Sequence, residues 1–265
     1  GSSAAYDWVP TFHFNDFGTY ATASARWFEG KTIYWQRSSG GYFATYLYPP
    51  VYLFAFVPWL ELGGSIPFEA VPLAGSPAEV AALLWGLFTV ALLWVGLQLV
   101  ARECGLELAW YDRVLALWAL VGFQPLLFSV KLGQVSAFVA ATFCFAFVAM
   151  ERGARAGAPR WLAIASGALT TLGSGIKLYY ATAGAHLLRD RDRFVGAIGA
   201  AVALVSLSVL VFGPGNNLAY LDVLTWGKGW GSDPQALYLW HPGYYEPTYS
   251  LAAWMPSATV LVRGG

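Results

Sequence analysis

Five apolar stretches, parted by short charged turns, dominate the middle of the chain. A helix needs about 20 apolar residues to cross a hydrocarbon core of about 30 Å. Residues 78–101, "AEVAALLWGLFTVALLWVGLQLVA", and 194–212, "FVGAIGAAVALVSLSVLVF", meet that length as uninterrupted spans. Residues 113–130, "RVLALWALVGFQPLLFSV", predict another, which leads through "KLGQ", 131–134, into "VSAFVAATFCFAFVAM", 135–150. Residues 161–188, "WLAIASGALTTLGSGIKLYYATAGAHLL", fit less well. As one helix they would measure about 42 Å. The Gly173-Ser174-Gly175 triplet offers a break, so this stretch is expected to go out and come back. The fold class is all-α, a polytopic transmembrane helical protein.

Ahead of these spans the pattern changes. Residues 1–46 are polar and aromatic. Phe17, Tyr20, Ser24, Trp27 and Phe28 recur at near-helical spacing, Asn15 or Asp16 is a natural N-cap, and Gly30 supplies a stop. The spacing predicts an amphipathic helix over 17–29, lying on the membrane surface. Residues 46–62, "YLYPPVYLFAFVPWLEL", are apolar but short and hold three prolines, which favours a re-entrant or interfacial element. The expected order is therefore an outer loop over 1–77, membrane helices over 78–212, an outer loop over 213–250 and the start of a helix over 251–265. The chain begins at Gly1 and ends within an apolar run, so helices are expected beyond both ends.

Charge sets the expected orientation. Arg102, Arg113, Arg152, Arg155, Arg160, Arg189, Arg191 and Arg193 crowd three short connections, whereas 1–77 and 213–250 hold only Arg26, Lys31, Arg37 and Lys228. Basic residues gather on cytoplasmic loops. The polar segments, "KLGQ" and the region of Lys177 then share the outer face of a cell membrane. Composition agrees with a lipid setting, with 57% hydrophobic and 11% charged residues, against about a quarter charged in soluble domains. Zero formal net charge gives no reason to expect a nucleic-acid partner. Cys104 and Cys144 lie in unlike surroundings and predict no disulfide; no metal-ligand spacing occurs, and no cofactor is expected.

Taken in order, "DFGTYATASARWFEGKTIY", "YLYPPVYLFAFVPWL", "GQVSAF" and the lysine of "GSGIKLYY" resemble glycosyltransferase family 87, of the GT-C superfamily. The family often has Pro after that lysine, where this chain has Leu178. The resemblance implies transfer of a hexose, typically mannose, from a polyprenyl-phosphate donor to a glycan or glycolipid acceptor outside the cytoplasm. It maps the general base onto Asp16, with inversion at the sugar. Other roles follow from the needs of such a reaction. Lys177, at membrane depth, is a candidate for the donor phosphate, or a lysine snorkelling from a helix end. Lys131 is a weaker candidate of the same kind. Arg37 would clamp phosphate bidentately or lie solvated. Gln134 would bond sugar hydroxyls or brace the first loop. Tyr48 would shape the entry groove of the lipid chain or anchor in the interface. His241 would meet phosphate or acceptor, or play no part. Asp16 itself would be a base, a helix cap, or both.

Two other classes compete. Broken helices and a buried lysine also suit a secondary transporter, which would place its polar groups at the membrane midplane. A non-catalytic scaffold would need no such cluster.

Overall fold

The computed structural model describes residues 15–34, 46–71 and 74–224, and among them every element is a helix. These are α1 (Asn15–Phe28), α2 (Val57–Ser65), α3 (Pro77–Glu103), α4 (Trp110–Gly122), α5 (Gln124–Leu132), α6 (Ser136–Gly153), α7 (Arg160–Ile176) and α8 (Arg191–Leu224). Three-ten turns cover Pro50–Ala55, Phe68–Ala70 and Leu178–Arg189. The chain divides into two units between Asn217 and Leu218, and the first contains α1 to α7 and most of α8.

Helices α3, α6 and α8 are each long and apolar enough to cross a bilayer, and α4 with α5 form a fourth candidate bent by 58°. The run 113–130 is therefore not one straight helix. Phe123 is extended, and Pro125, in the first turn of α5, has no N–H to continue the ladder of α4. α3 starts where Ser76 accepts from the Glu79 amide at 3.3 Å, with Pro77 leading the helix. Lipid is met by large exposed side chains, such as Trp118 on α4 and Val202, Val205 and Leu210 on α8.

Small residues line the helix contacts, since apolar packing in lipid rewards close approach more than bulk. Gly167 of α7 lies on the backbone of Arg193, and Gly196 of α8 on that of Ile164. Hydroxyls of α7 bond to both neighbours: Ser166 Oγ donates to the Ala146 carbonyl of α6 at 2.9 Å and Thr171 Oγ1 to the Ala197 carbonyl of α8 at 3.3 Å.

Ion pairs collect one set of helix ends on one side. Glu103, at the end of α3, accepts from Arg152, in the last turn of α6, at 2.6 Å and from Arg155, just past that helix. Arg160, opening α7, grips Asp192, opening α8, through two bonds of 2.9 and 2.6 Å. The chain between Arg160 and Asp192 thus returns to the side it left. It turns at Lys177, which is extended, rather than at Gly173–Gly175. Gly184, seven residues past the turn, meets Thr170, seven before it. The two legs match in length: 17 residues of α-helix rise about 25 Å and 12 of three-ten helix about 24 Å.

α1 matches the helix expected over 17–29, beginning two residues earlier and ending one earlier. Its apolar stripe, Phe17, Tyr20, Ala23 and Ser24, is buried against protein. Tyr20 stacks on Phe56 with centroids 4.1 Å apart, and Trp27 meets Phe212 of α8 at 4.8 Å. The segment read as an outer loop from 213 begins instead as a kink. Gly213 takes φ 76°, Pro214 follows, and the helix resumes. There Asn216 Oδ1 accepts from the Ile33 amide at 3.0 Å and from Thr32 Oγ1 at 3.3 Å, tying down the chain that leaves α1.

Candidate functional site

At the helix ends remote from the arginine side, α1 is pressed against the joint between α5 and α6. Gly133 makes this possible. It closes α5 at φ 70°, a left-handed conformation that costs glycine nothing, and lets the Gln134 amide donate back to Ser129 O at 2.8 Å. A Cβ at Gly133 would stand 2.6 Å from the Cβ of Phe17. No larger residue could let α1 come this close. The neighbour of Phe17 is Asp16, and the neighbour of Gly133 is Gln134.

Asp16 is half-buried on the first turn of α1. Burial raises its carboxyl above the ordinary value, while the Gln134 side chain, hydrogen-bonded to it, and the charge of Lys177 pull the other way. Gln134 is held in turn. Its Oε1 accepts from Ser136 Oγ at 3.3 Å, and its main-chain carbonyl accepts from the indole of Trp85 at 3.4 Å. Ser136 Oγ accepts from Lys177 Nζ at 2.7 Å. A carboxylate, an amide, a hydroxyl and an ammonium thus run in series from α1, through the α5–α6 joint, to the turn after α7. Lys177 reaches this place because α7 ends there. Tyr52, on the 50–55 turn, closes the arrangement by donating to the Leu172 carbonyl at 2.9 Å, just above Gly175.

A tyrosine cluster borders the carboxylate. Tyr20 Oη donates to Tyr48 Oη at 3.3 Å, and Tyr34 Oη donates to the Tyr48 carbonyl at 2.6 Å. Tyr46 meets Tyr48 edge-on at 5.6 Å. Burial, with the Asp16 charge adding to it, pushes the Tyr48 phenol up to about 12, and Tyr20 is raised as well. Both phenols stay protonated at neutral pH, and Tyr20 gives its hydrogen to Tyr48.

Of the residues singled out from sequence, Asp16, Gln134, Lys177 and Tyr48 come together. Lys131 lies on the last turn of α5 and takes no part in the series. Arg37 and His241 fall outside the described residues. Ser136 was not singled out, although it stands within "GQVSAF"; only the fold shows that it joins Gln134 to Lys177. The cluster occupies the ends of α1, α5, α6 and α7, not their middles.

A chain whose described elements are all helices, three or four of them long and apolar enough to cross a bilayer, is a polytopic membrane protein. It belongs to glycosyltransferase family 87, whose sequence model matches residues 46–263. The matched range holds Tyr48, Lys131, Gln134, Ser136 and Lys177, while α1 with Asp16 precedes it. A search of curated proteins found no match, and neither did a search of solved structures. The protein is a membrane glycosyltransferase.

Proposed function

We propose that this glycosyltransferase moves a hexose, mannose in the first place, from a polyprenyl phosphate to a glycan or glycolipid acceptor at the extracytoplasmic face of a cell membrane. The observation that carries the reading is the series Asp16–Gln134–Ser136–Lys177 at the end opposite the arginine-rich turns. Basic turns favour the cytoplasm, which puts the series on the other face. The donor arrives there by diffusion in the outer leaflet and the polar acceptor from water.

In this reading the acceptor hydroxyl attacks the anomeric carbon from the side opposite the phosphate. Its proton passes to Asp16, whose raised affinity for protons suits a general base. The bond from the anomeric carbon to the phosphate oxygen breaks, its electron pair leaves with polyprenyl phosphate, and the configuration inverts. The Lys177 ammonium faces the developing phosphate charge. Tyr48, half-buried, offers its hydroxyl to the sugar or its ring to the lipid chain, and the buried Tyr20 holds it in place. Lys131, Arg37 and His241 remain candidates for the phosphate and the acceptor. A midplane transport site is not what the cluster resembles, since its members lie at helix ends.

The test is a donor panel with the purified protein in proteoliposomes, comparing several polyprenyl-phosphate hexoses with nucleotide sugars. Release of polyprenyl phosphate from the mannose donor, with a product of inverted configuration, is expected. Turnover of nucleotide sugars alone, or of no donor, would sink the proposal.

A further inference from the structure

We propose that Ser136 is a positioning residue that sets the direction of hydrogen bonding between Lys177 and Asp16, and so aims the Gln134 amide at the carboxylate. The inference rests on the base reading only for its kinetic consequence; the orientation itself is a matter of donors and acceptors. An ammonium has hydrogens and no acceptor, and a carboxylate has acceptors and no hydrogens. A hydroxyl that accepts from Lys177 Nζ at 2.7 Å has one hydrogen to give, and it gives it to Gln134 Oε1 at 3.3 Å. The amide oxygen is then engaged on the Ser136 side, which leaves the amide N–H₂ for Asp16. Every link runs the same way, from ammonium to carboxylate. The two amide ends of Gln134 are nearly the same shape, so the acceptor-only carboxylate on one side and the Ser136 donor on the other hold one orientation together.

Ser136 is well placed for the task. It is the first residue of α6, one turn from the Gly133 joint. The helix start fixes its backbone while the side chain stays outside the helical ladder. Without its hydroxyl only the carboxylate holds the amide, and the N–H₂ is less firmly aimed at Asp16. The carboxylate then loses part of its donor, which favours its protonated form.

The experiment compares Ser136→Ala and Ser136→Thr with the wild type in two readouts. The first is the infrared titration of the Asp16 carboxyl, isolated by subtracting spectra of the matching Asp16→Asn proteins. The second is the pH profile of kcat/KM with polyprenyl-phosphate mannose. The Ala variant is expected to move the carboxyl midpoint and the acid limb to higher pH, and to lose about ten- to a hundredfold in kcat/KM near neutral pH, the worth of one hydrogen bond to a charged group. The Thr variant, which keeps the hydroxyl, should return both toward wild type. An unmoved midpoint in a folded Ala variant overturns the proposal. Should the Ala protein fail to fold, Ser136→Cys, of similar volume and with a weak donor, must show the same upward movement, and its absence overturns the proposal equally. A moved midpoint in Ser136→Ala together with near-normal turnover in Asp16→Asn would separate the two claims. Ser136 would then still orient Gln134, and the base assignment would fall.

Discussion

Replacing Gly133 with Ala puts the site's assembly to a quantitative test, because Gly105 supplies its own control. Both glycines are left-handed, at φ 70° and 74°. A Cβ in that conformation costs roughly 1–2 kcal/mol at either place. The surroundings differ. At Gly105 nothing lies within 4 Å of the added carbon, whereas at Gly133 it falls 2.6 Å from Phe17 Cβ, with the Phe17 backbone nitrogen at 3.4 Å. These are atoms of the α1 main chain and its root, not the end of a flexible side chain. α1 must move, at the roughly 1–3 kcal/mol typical of overpacking. Gly133→Ala should therefore lose about 2–5 kcal/mol in total and Gly105→Ala about 1–2 kcal/mol. The assay is chemical unfolding in detergent for both variants, with donor turnover measured on the folded fraction. Displacement of α1 carries Asp16 away from Gln134, so turnover should fall in Gly133→Ala and persist in Gly105→Ala. Equal stability losses and equal turnover in the two variants would refute the claim that close approach at Gly133 seats Asp16.

Three further outcomes follow from the same geometry. Lys177→Met keeps the apolar stem and removes the ammonium, so donor KM should rise about ten- to a hundredfold, as for a lost hydrogen bond to a charged group; an unchanged KM would return Lys177 to a snorkelling role. Cys104, an exposed thiol at the arginine end, should resist an impermeant thiol reagent in intact cells and react after lysis; ready labelling in intact cells would reverse the proposed orientation. Asp16→Asn should change stability with pH. A carboxyl whose folded value is raised contributes stability below its ordinary value of 3.8 and loses that contribution as pH rises through the folded value. The Asn variant should accordingly melt above wild type at neutral pH, with the gap closing as pH falls below 3.8; a gap that does not vary with pH would contradict the burial of Asp16.

Periodicity reads best where lipid decides the pattern. The spans at 78–101 and 135–150 correspond to α3 and α6 within a few residues, and 194–212 to the part of α8 before its kink at Gly213, because bilayer length and apolarity leave little else for such runs to be. It reads less well where one residue type serves two ends. Gly173 and Gly175 looked like breakers, yet both are helical. Gly173 lies against Thr142 and Gly175 against Tyr52, so their smallness serves packing and the turn falls at Lys177. The kink at Phe123 was signalled by Gln124-Pro125, but a proline in an apolar run is also compatible with an unbroken, bent helix. α1 showed its stripe in the spacing of Phe17, Tyr20 and Ser24; that the stripe faces protein and not lipid depends on Phe56 and Phe212, far along the chain. At the site, Lys177 drew notice as a charge within apolar sequence, and Asp16 as the early carboxylate of a polar segment that resembles the family. Ser136 did not, because a serine opening a helix is ordinary until Lys177, 41 residues on, is seen to donate to it.

The most direct measurement of the central claim is turnover by Asp16→Asn. The amide keeps the size of the carboxylate but cannot take the acceptor's proton. With purified protein in proteoliposomes, polyprenyl-phosphate mannose as donor and released polyprenyl phosphate as the readout, the variant should bind donor as wild type does. Its transfer should be slower by about a hundred- to ten-thousandfold, the range for loss of a general base. A folded Asp16→Asn protein that transfers sugar at near wild-type rate would remove Asp16 from the chemistry and leave it as an acidic residue in the first turn of α1.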